Sequence, residues 1–173
     1  MTSTPPFSPA EATAWARLVA VSELLPTMLD AQLLRDVELT HFEYLVLSVL
    51  AASPDQTSRM TRVASQTNAT LPRLSHVARR LEEKGLLERF PCPQDKRATN
   101  ARITSEGLAV LDRAAPGHVA TVRSNVLDAL EPGELDQLAA ITASILARLD
   151  PEGRLSATQC DSATTEPAAS ARS

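Results

Sequence analysis

The stretch LLERFPCPQDKRATNARITSEG, residues 86–107, decides the fold predicted for this chain. It begins with a strand-like run, enters a loop rich in proline and charge, and returns as a second extended run at residues 101–104. Two short extended runs joined by such a loop predict a β-hairpin. The stretch follows a helix that ends at Gly85, and it ends where another helix begins at Ser105.

The helix before the hairpin combines an apolar stripe with a basic face. Thr70 can cap it, and Pro72 lies in its first turn, where a missing N–H is harmless. The stripe, spaced i, i+3, i+7, consists of Leu74, Val77 and Leu81. The opposite face carries Arg73, Ser75, His76, Arg79 and Arg80. A basic helix followed by a basic hairpin predicts a winged helix, with one element for each groove of DNA.

The hairpin also carries a spacing that resembles a known signature. Asp95-Lys96-Arg97, followed by Ile103-Thr104-Ser105-Glu106-Gly107, is similar to the wing motif D-x-R…L-T-x-x-G of MarR-type transcriptional regulators. The resemblance extends from about Ala14 to Leu149. It implies a mainly α-helical (α+β) fold, a winged helix-turn-helix with a small β-hairpin wing. It also implies N- and C-terminal helices that form a dimerisation region.

Length and composition favour one soluble helical domain. The 173 residues can bury a core of their own, and only 3% are aromatic, which indicates aliphatic helix packing. No apolar run reaches the roughly 18 residues of a membrane span, and the N-terminus lacks a secretory signal. Cys92 and Cys160 form no C-x-x-C and no zinc-ligand spacing. These features predict a cytoplasmic protein without a membrane partner or a cofactor. No nucleophile, phosphate-loop or zinc-protease motif is present, so we expect no enzymatic activity.

Charge is distributed unevenly along the chain. From Arg59 to Arg102 it carries ten Lys/Arg and four Asp/Glu, a net charge of +6. The rest carries seven bases and seventeen acids, a net charge of −10, so the whole chain has −4. Positive charge concentrated in one segment draws polyanions to one face of a protein, although a solvated basic surface is the alternative.

The chain is predicted to be a single domain between two disordered ends. The leader covers residues 1–8, and the tail, which lacks periodicity and apolar mass, covers residues 151–173. The domain covers residues 9–150, with the winged helix-turn-helix at about 40–104 and the dimerisation helices at about 9–36 and 105–150.

Local signals predict where individual helices begin, bend and end. Ser8 and Thr40, each with a glutamate three residues later, predict capped helix starts. Residues 60–66 are predicted to form a short helix. Pro26 predicts a bend in the first helix. The long helix from Ser105 to about Leu130 is expected to be interrupted at Pro116 and Gly117.

The last helix carries an apolar stripe broader than a small domain needs for its own core. Its members are Leu135, Leu138, Ile141, Ile145, Leu146 and Leu149. In the family that this chain resembles, the terminal helices build the dimer. We therefore predict that this stripe is a dimer interface. Packing within one chain is the alternative.

The candidate DNA contacts lie on the basic helix and in the wing. They are Leu71, Pro72, Arg73, Ser75, His76, Arg79, Asp95, Lys96 and Arg97. Arg73 could bind a guanine edge, and Leu71 and Pro72 could contact thymine methyls. Arg79 and Lys84 are expected at phosphates. The resemblance implies that Arg97 enters a minor groove and that Asp95 aims its guanidinium.

The resemblance further implies a pocket for an aromatic or amphipathic effector between the dimer region and the DNA-binding lobe. The candidate lining residues are Trp15, Val19, Met28, His41, Phe42, Leu45 and His118, for which ordinary core packing is the alternative. The sequence therefore predicts a homodimeric transcriptional regulator that binds double-stranded DNA at an inverted repeat. We expect a repressor that a small-molecule ligand releases.

Three other interpretations remain open from the sequence. One is a constitutive DNA-binding regulator without a ligand, and another is a helical interaction module without a DNA role. A third is a thiol-based redox sensor acting through Cys92, whose thiol lies near Arg89 and Lys96. A zinc sensor built on His41 and His118 would need more ligands than these two histidines provide.

Overall fold

The structure is a computed structural model that describes residues 5–93 and 95–158, without the side chain of Lys96. Its helices are α1 (Pro9–Val37), α2 (His41–Ala51), α3 (Met60–Gln66), α4 (Leu71–Glu83), α5 (Ser105–Asn125) and α6 (Glu134–Leu149). Its strands are β1 (Thr57–Arg59), β2 (Leu87–Cys92) and β3 (Asp95–Ile103). Cys160, the first residues of the predicted leader and most of the predicted tail lie outside the described residues.

The three strands form an antiparallel sheet in the order β1-β3-β2. β2 and β3 are the predicted hairpin, with Leu87 opposite Ile103 at its base. β1 was not predicted, because three residues are too few to show an alternating pattern. The predicted mainly α-helical fold with a β-hairpin wing is confirmed, and β2 is an edge strand of its sheet.

One hydrophobic core joins α2, α3, α4 and the base of the wing. The predicted stripe of α4 faces it, with Leu74 and Leu81 fully buried and Val77 9% exposed. Burying a leucine side chain contributes roughly 1.5–3 kcal/mol, so these positions fix how α4 packs. Further large side chains of this core are Leu39, Leu47, Leu50, Leu87 and Ile103.

Helix starts follow the capping signals in the sequence. Ser8 and Glu11 form a capping box at α1, and Thr40 and Glu43 form another at α2. In each box the hydroxyl accepts a backbone N–H, and the glutamate accepts one in return. Thr70 caps α4 through its hydroxyl. The predicted starts of these three helices are therefore confirmed.

Helix α4, the wing and α5 meet at one tight junction. The Thr104 hydroxyl donates to the Gly85 carbonyl at 2.7 Å and accepts the Gly107 N–H at 3.1 Å. The Thr104 N–H donates to the Leu86 carbonyl at 3.1 Å. A Cβ on Gly107 would overlap that same Leu86 carbonyl oxygen. The T-x-x-G part of the motif therefore has a structural basis. Thr104 binds the segment that follows α4 and the first turn of α5, and Gly107 lets α5 approach the Leu86 backbone.

The interruption predicted at Pro116 and Gly117 is wrong, because α5 continues through them to Asn125, and the kink expected there stays a prediction. The proline removes a backbone donor and would leave the Asp112 carbonyl unpaired. Both residues are exposed, so water can satisfy that carbonyl. The helix also ends earlier than Leu130, and a single 3-10 turn, Leu127–Ala129, leads toward α6. α1 likewise continues through Pro26, where the expected bend stays a prediction.

The segment after α6 is more ordered than predicted. Asp150 is 6% exposed, and its carboxylate accepts the N–H groups of Arg154 at 3.0 Å and Leu155 at 2.8 Å. The same carboxylate accepts the Thr158 hydroxyl at 2.9 Å. The predicted tail from Pro151 is therefore folded back on Asp150 as far as residue 158.

The outer helices expose apolar side chains. α6 has no buried residue, and Ile141 and Leu149 are 58% and 75% exposed. In α1, Trp15 and Leu24 are 56% and 69% exposed. None of the helices in residues 5–93 and 95–158 has both the length and the apolar character that a membrane crossing requires. The described chain leaves these faces of α1 and α6 uncovered.

Replacing Gly107 with alanine should destabilise the fold by about 1–3 kcal/mol, the usual cost of overpacking. The added methyl would collide with the Leu86 carbonyl, which is backbone and cannot rotate away. Gly85→Asn is the control, because this position has a positive φ of 72° and open space around it. Urea unfolding should show a large loss for Gly107→Ala and a small one for Gly85→Asn. Equal losses would contradict the steric explanation.

Candidate DNA-binding interface

The N-terminal half of α4 presents an exposed surface. Leu71, Pro72 and His76 are exposed and Ser75 is half-buried. The preceding turn places Asn68 at a φ of 49°, a left-handed conformation that asparagine tolerates better than most residues. The stripe of α4 that faces the core holds this helix in place, so its exposed side chains can enter a groove.

Arg73 departs from the orientation expected of a base-reading residue. Its guanidinium lies over the Phe42 ring of α2, 4.2 Å from the ring centroid. Seven residues later on α4, Arg80 also turns to α2, with Nη2 3.3 Å from Oε1 of the buried Glu43. Arg73 and Arg80 thus belong to the side of α4 that faces α2. Both residues remain exposed, so their predicted place on the DNA-facing side of α4 stays a prediction.

His76 and Arg79 contact each other on the exposed side of α4. Arg79 Nη2 lies 3.2 Å from His76 Nδ1, a distance that suits donation by the guanidinium to the imidazole. Arg79 Nε also lies 3.9 Å from Oε1 of Glu83, one turn further on. These partners are exposed, so the Arg79 guanidinium remains accessible to a phosphate.

The wing presents Arg97 near α4. The Asp95 carboxylate accepts the backbone N–H of Arg97 at 3.0 Å, so it shapes the turn. The pair that was expected between this carboxylate and the Arg97 guanidinium is not formed. A cavity of about 150 Å³ separates the wing from α4, lined by Arg97, Arg89, Leu71 and Ser75 among others. The wing and α4, the candidate recognition helix, therefore border a common space. Lys96 lies in β3, and its side chain is outside the described part of the chain.

Several basic side chains of residues 59–102 bind other parts of the same chain. Lys84 Nζ donates to the Glu38 carbonyl at 2.7 Å, at the C-terminal end of α1. Lys84 is exposed, and its expected phosphate contact stays a prediction. Arg89 binds Glu82 through its backbone and its guanidinium. Net charge alone could not identify these internal partners, because they depend on how α1, α4 and the wing pack.

A second cavity, of about 380 Å³, lies where α1, α2 and α4 meet. Its lining residues are Pro26, Asp30, Thr40, His41, Phe42, Arg73 and Val77. His41 and Phe42 were predicted for a ligand pocket, and the others were missed. Asp30 accepts the His41 backbone N–H, which ties α1 to the start of α2.

The remaining predicted pocket residues lie elsewhere. Trp15 precedes Asp30 by fifteen positions on α1, which corresponds to about 22 Å along the helix. Val19 is on the same distant part of α1, and Leu45 packs against the core. Met28 is half-buried and is not among the residues that line the cavity. His118 contacts Tyr44 with ring centroids 4.8 Å apart, beside the cavity rather than in its wall.

Burial favours the neutral form of the two histidines at this junction. Burial lowers the pKa of His41 despite the opposing effect of Asp30. Burial, followed by proximity to His41, lowers the pKa of His118. The rings are 6.3 Å apart, and the Nδ1 atom of each is buried without a hydrogen-bond partner. Within the described residues, no three His, Cys, Asp or Glu side chains lie close enough to hold a metal ion.

Cys92 is poorly placed for reaction with an oxidant. It is 2% exposed, and Arg59 Nη2 lies 3.7 Å from its sulfur. A nearby arginine favours the thiolate, but burial keeps oxidants from reaching it. This geometry weighs against the redox interpretation.

Comparison with known proteins identifies the family. Residues 39–99 match the model of the MarR family. Sco3205, a MarR family transcriptional regulator from Streptomyces coelicolor solved in complex with DNA, is 38% identical, with a TM-score of 0.82 over 87% of this chain and 94% of that one. AbsC, a MarR family regulator from the same organism, is 33% identical, with a TM-score of 0.78 over 84% and 98%.

A more distant structure shares the fold alone. It is Bordetella bronchiseptica BpsR, 19% identical, with a TM-score of 0.68 over 77% of this chain and 98% of that one. The match to Sco3205 is closer, and it covers most of this chain and 94% of that one. The chain therefore belongs to the MarR family of DNA-binding transcriptional regulators.

Proposed function

We propose that this protein is a homodimeric repressor that binds an inverted-repeat DNA site in the cytoplasm and is released by a small acidic aromatic ligand. The proposal that a ligand releases the protein rests on the position of Arg73. This residue belongs to the recognition helix, yet its guanidinium lies over Phe42 in the wall of the α1–α2–α4 cavity. A ligand in that cavity would contact the DNA-reading helix directly.

The exposed side of α4 suits the major groove, and Arg97 suits the minor groove. Leu71 and Pro72 offer apolar contacts to thymine methyls, while Ser75 and His76 offer hydrogen bonds to base edges. Arg79 is accessible to a phosphate, a contact that adds affinity without sequence preference. Arg97 lies across the wing–α4 cavity from Leu71 and Ser75, so the two elements can bind adjacent grooves.

The uncovered apolar faces of α1 and α6 support a dimer. Exposed apolar patches of this kind mark association surfaces on soluble proteins. Within α6, Leu135, Leu138, Ile141 and Leu149 are exposed, and Ile145 and Leu146 are half-buried. A second copy covering these helices would place two recognition helices about one DNA turn apart, which requires an inverted repeat.

The chemistry of the α1–α2–α4 cavity suits an aromatic acid. Arg73 supplies a fixed positive charge, Phe42 an aromatic face, and Pro26 and Val77 apolar walls. Asp30 also lines the cavity, and its carboxylate accepts the His41 backbone N–H. A carboxylate paired with Arg73 would restrain α4 and favour one lobe arrangement over another. In BpsR, a protein of the same fold, 6-hydroxynicotinic acid regulates DNA binding.

Placing charge on the α6 stripe should abolish the dimer. The double substitution Leu138→Glu and Ile145→Glu would put unpaired carboxylates into the proposed interface, where burial of charge is costly. Sedimentation velocity should then show monomers or unfolded chains. Ala140→Glu with Ala147→Glu is the control, since these residues have the same spacing on the other side of α6. A dimer that survives in the first variant would contradict this interface.

Removing Arg97 and His76 should affect DNA binding in different ways. Arg97→Ala should weaken binding to operator and scrambled DNA alike and reduce the salt slope by about one unit. His76→Ala should cost on the order of 1–3 kcal/mol on the operator and relax the preference at one base pair per half-site. Fluorescence anisotropy over a range of salt would measure both. If Arg97→Ala leaves both affinities unchanged, the wing does not contact DNA.

Salicylate, as a probe for aromatic acids, should raise the melting temperature and weaken operator binding. Arg73→Met should abolish both effects, because it removes the charge from the cavity wall. Arg79→Met removes the same charge from the same helix outside the cavity, and it should keep the ligand response. A response that persists in Arg73→Met would rule out this site. If none of a set of phenolic and aromatic acids shifts the melting temperature, the constitutive alternative is favoured.

A further inference from the structure

The last turn of α4 is joined to the first strand of the wing by a dense set of hydrogen bonds. The guanidinium of Arg89 donates to Glu82 Oε2 through Nε at 3.0 Å and through Nη2 at 2.6 Å. The backbone N–H of Arg89 donates to Glu82 Oε1 at 3.0 Å. Both carboxylate oxygens of one residue in the recognition helix are therefore occupied by one residue of the wing.

The position of Arg89 in the sheet explains why its backbone N–H is available. β2 is an edge strand, so every second N–H along it points away from β3. Glu82 satisfies the outward N–H of Arg89. Two residues later on the same edge, Pro91 has no N–H to satisfy. Glu82 thus completes the edge of the wing in the way that a neighbouring strand would.

We propose that Glu82 and Arg89 are a positioning pair that fixes the wing at a set distance from the recognition helix, so that both elements reach their DNA grooves together. This inference rests on the proposed role of Arg97 in the minor groove. Neither Glu82 nor Arg89 needs to contact DNA for the pair to act. Their effect passes through the orientation of the hairpin.

The geometry of the wing makes its orientation sensitive to this pair. Arg89 lines the cavity between α4 and the wing, together with Arg97, Leu71 and Ser75. Arg97 lies two residues nearer the tip of the hairpin than Thr99, which pairs with Pro91. A rotation of the hairpin at Arg89 would therefore also displace Arg97. The junction at Gly85 and Thr104 holds the base of the hairpin, and the Glu82–Arg89 pair holds its outer edge.

Charge and geometry both favour persistence of the pair at neutral pH. The hydrogen bonds from the Arg89 side chain lower the pKa of the Glu82 carboxyl below its usual value, so it stays ionised. Two guanidinium nitrogens and one backbone nitrogen fix a direction as well as a distance. A lysine at position 89 would keep the charge but lose this geometry.

Glu82→Gln tests the pair because electrostatics and positioning predict opposite results. Loss of a negative charge alone should strengthen binding to the polyanion. Loss of positioning should weaken operator binding by about fivefold or more, the size of a lost specific contact. Glu88→Gln is the matched control, since it removes the same charge from another Glu–Arg pair, with Arg102, that lies within the wing. It should leave affinity unchanged or higher.

Combining these substitutions with Arg97→Ala separates the pair from the role of Arg97. In the wild-type background Arg97→Ala should weaken operator binding by about fivefold or more. In the Glu82→Gln or Arg89→Lys background the further loss should be less than about twofold, because Arg97 is already displaced. An undiminished loss in both backgrounds would overturn the positioning inference. Circular dichroism and melting temperature should confirm that each variant is folded.

Hydrogen exchange of the free protein gives a readout that does not depend on DNA. In Glu82→Gln, amides of residues 87–103 should exchange faster while those of α2 stay protected, since the change is local. Unchanged exchange in the wing would overturn the positioning inference. If exchange rises but Arg97→Ala has no effect in the wild type, the pair positions the wing and the proposed DNA contact of Arg97 fails.

Discussion

The close approach of Gly107 to the Leu86 carbonyl is the constraint on which the DNA-binding lobe depends. Three elements meet at this point: α4 ends just before it, the hairpin begins and ends there, and α5 starts from it. Thr104 satisfies the backbone groups of the junction, and Gly107 keeps the space free of a side chain. The direction of the wing and the direction of α5 are therefore set together, which links the DNA-reading elements to the helix that leads to the proposed dimer.

Local chemistry in the sequence was sufficient to predict the helices and the hairpin, but not the partners of individual side chains. Thr70, Pro72 and Gly85 mark the two ends of α4 by their own backbone preferences, so its limits were predictable. β1 was missed because three residues gain their strand geometry from pairing with β3, far along the chain. Arg73 has a helical position that was predictable, whereas the presence of Phe42 opposite it depends on tertiary packing. Trp15 is different, since the rise of α1 alone places it far from Asp30.

The positive segment serves two physical purposes. Arg80, Lys84 and Arg89 bind Glu43, the Glu38 carbonyl and Glu82, and these contacts join α4 to α2, to α1 and to the wing. Arg79 and Arg97 stay exposed on the side where DNA would bind. The charge count conceals that the first three of these side chains hold α4 by ionic contacts with Glu43 and Glu82 and by a hydrogen bond to the Glu38 carbonyl.

The location of the α1–α2–α4 cavity limits how a ligand could act. A ligand changes DNA affinity only by its differential affinity for the DNA-bound and free arrangements. A cavity formed within one rigid element would give no such difference. This cavity has walls from α1, which belongs to the proposed dimer region, and from α4, the candidate DNA-reading helix, and Arg73 contributes to the second wall. Any change in the spacing of α1 and α4 must alter the shape of the cavity, so binding of the proposed ligand would be coupled to the separation of the two α4 helices in the proposed dimer.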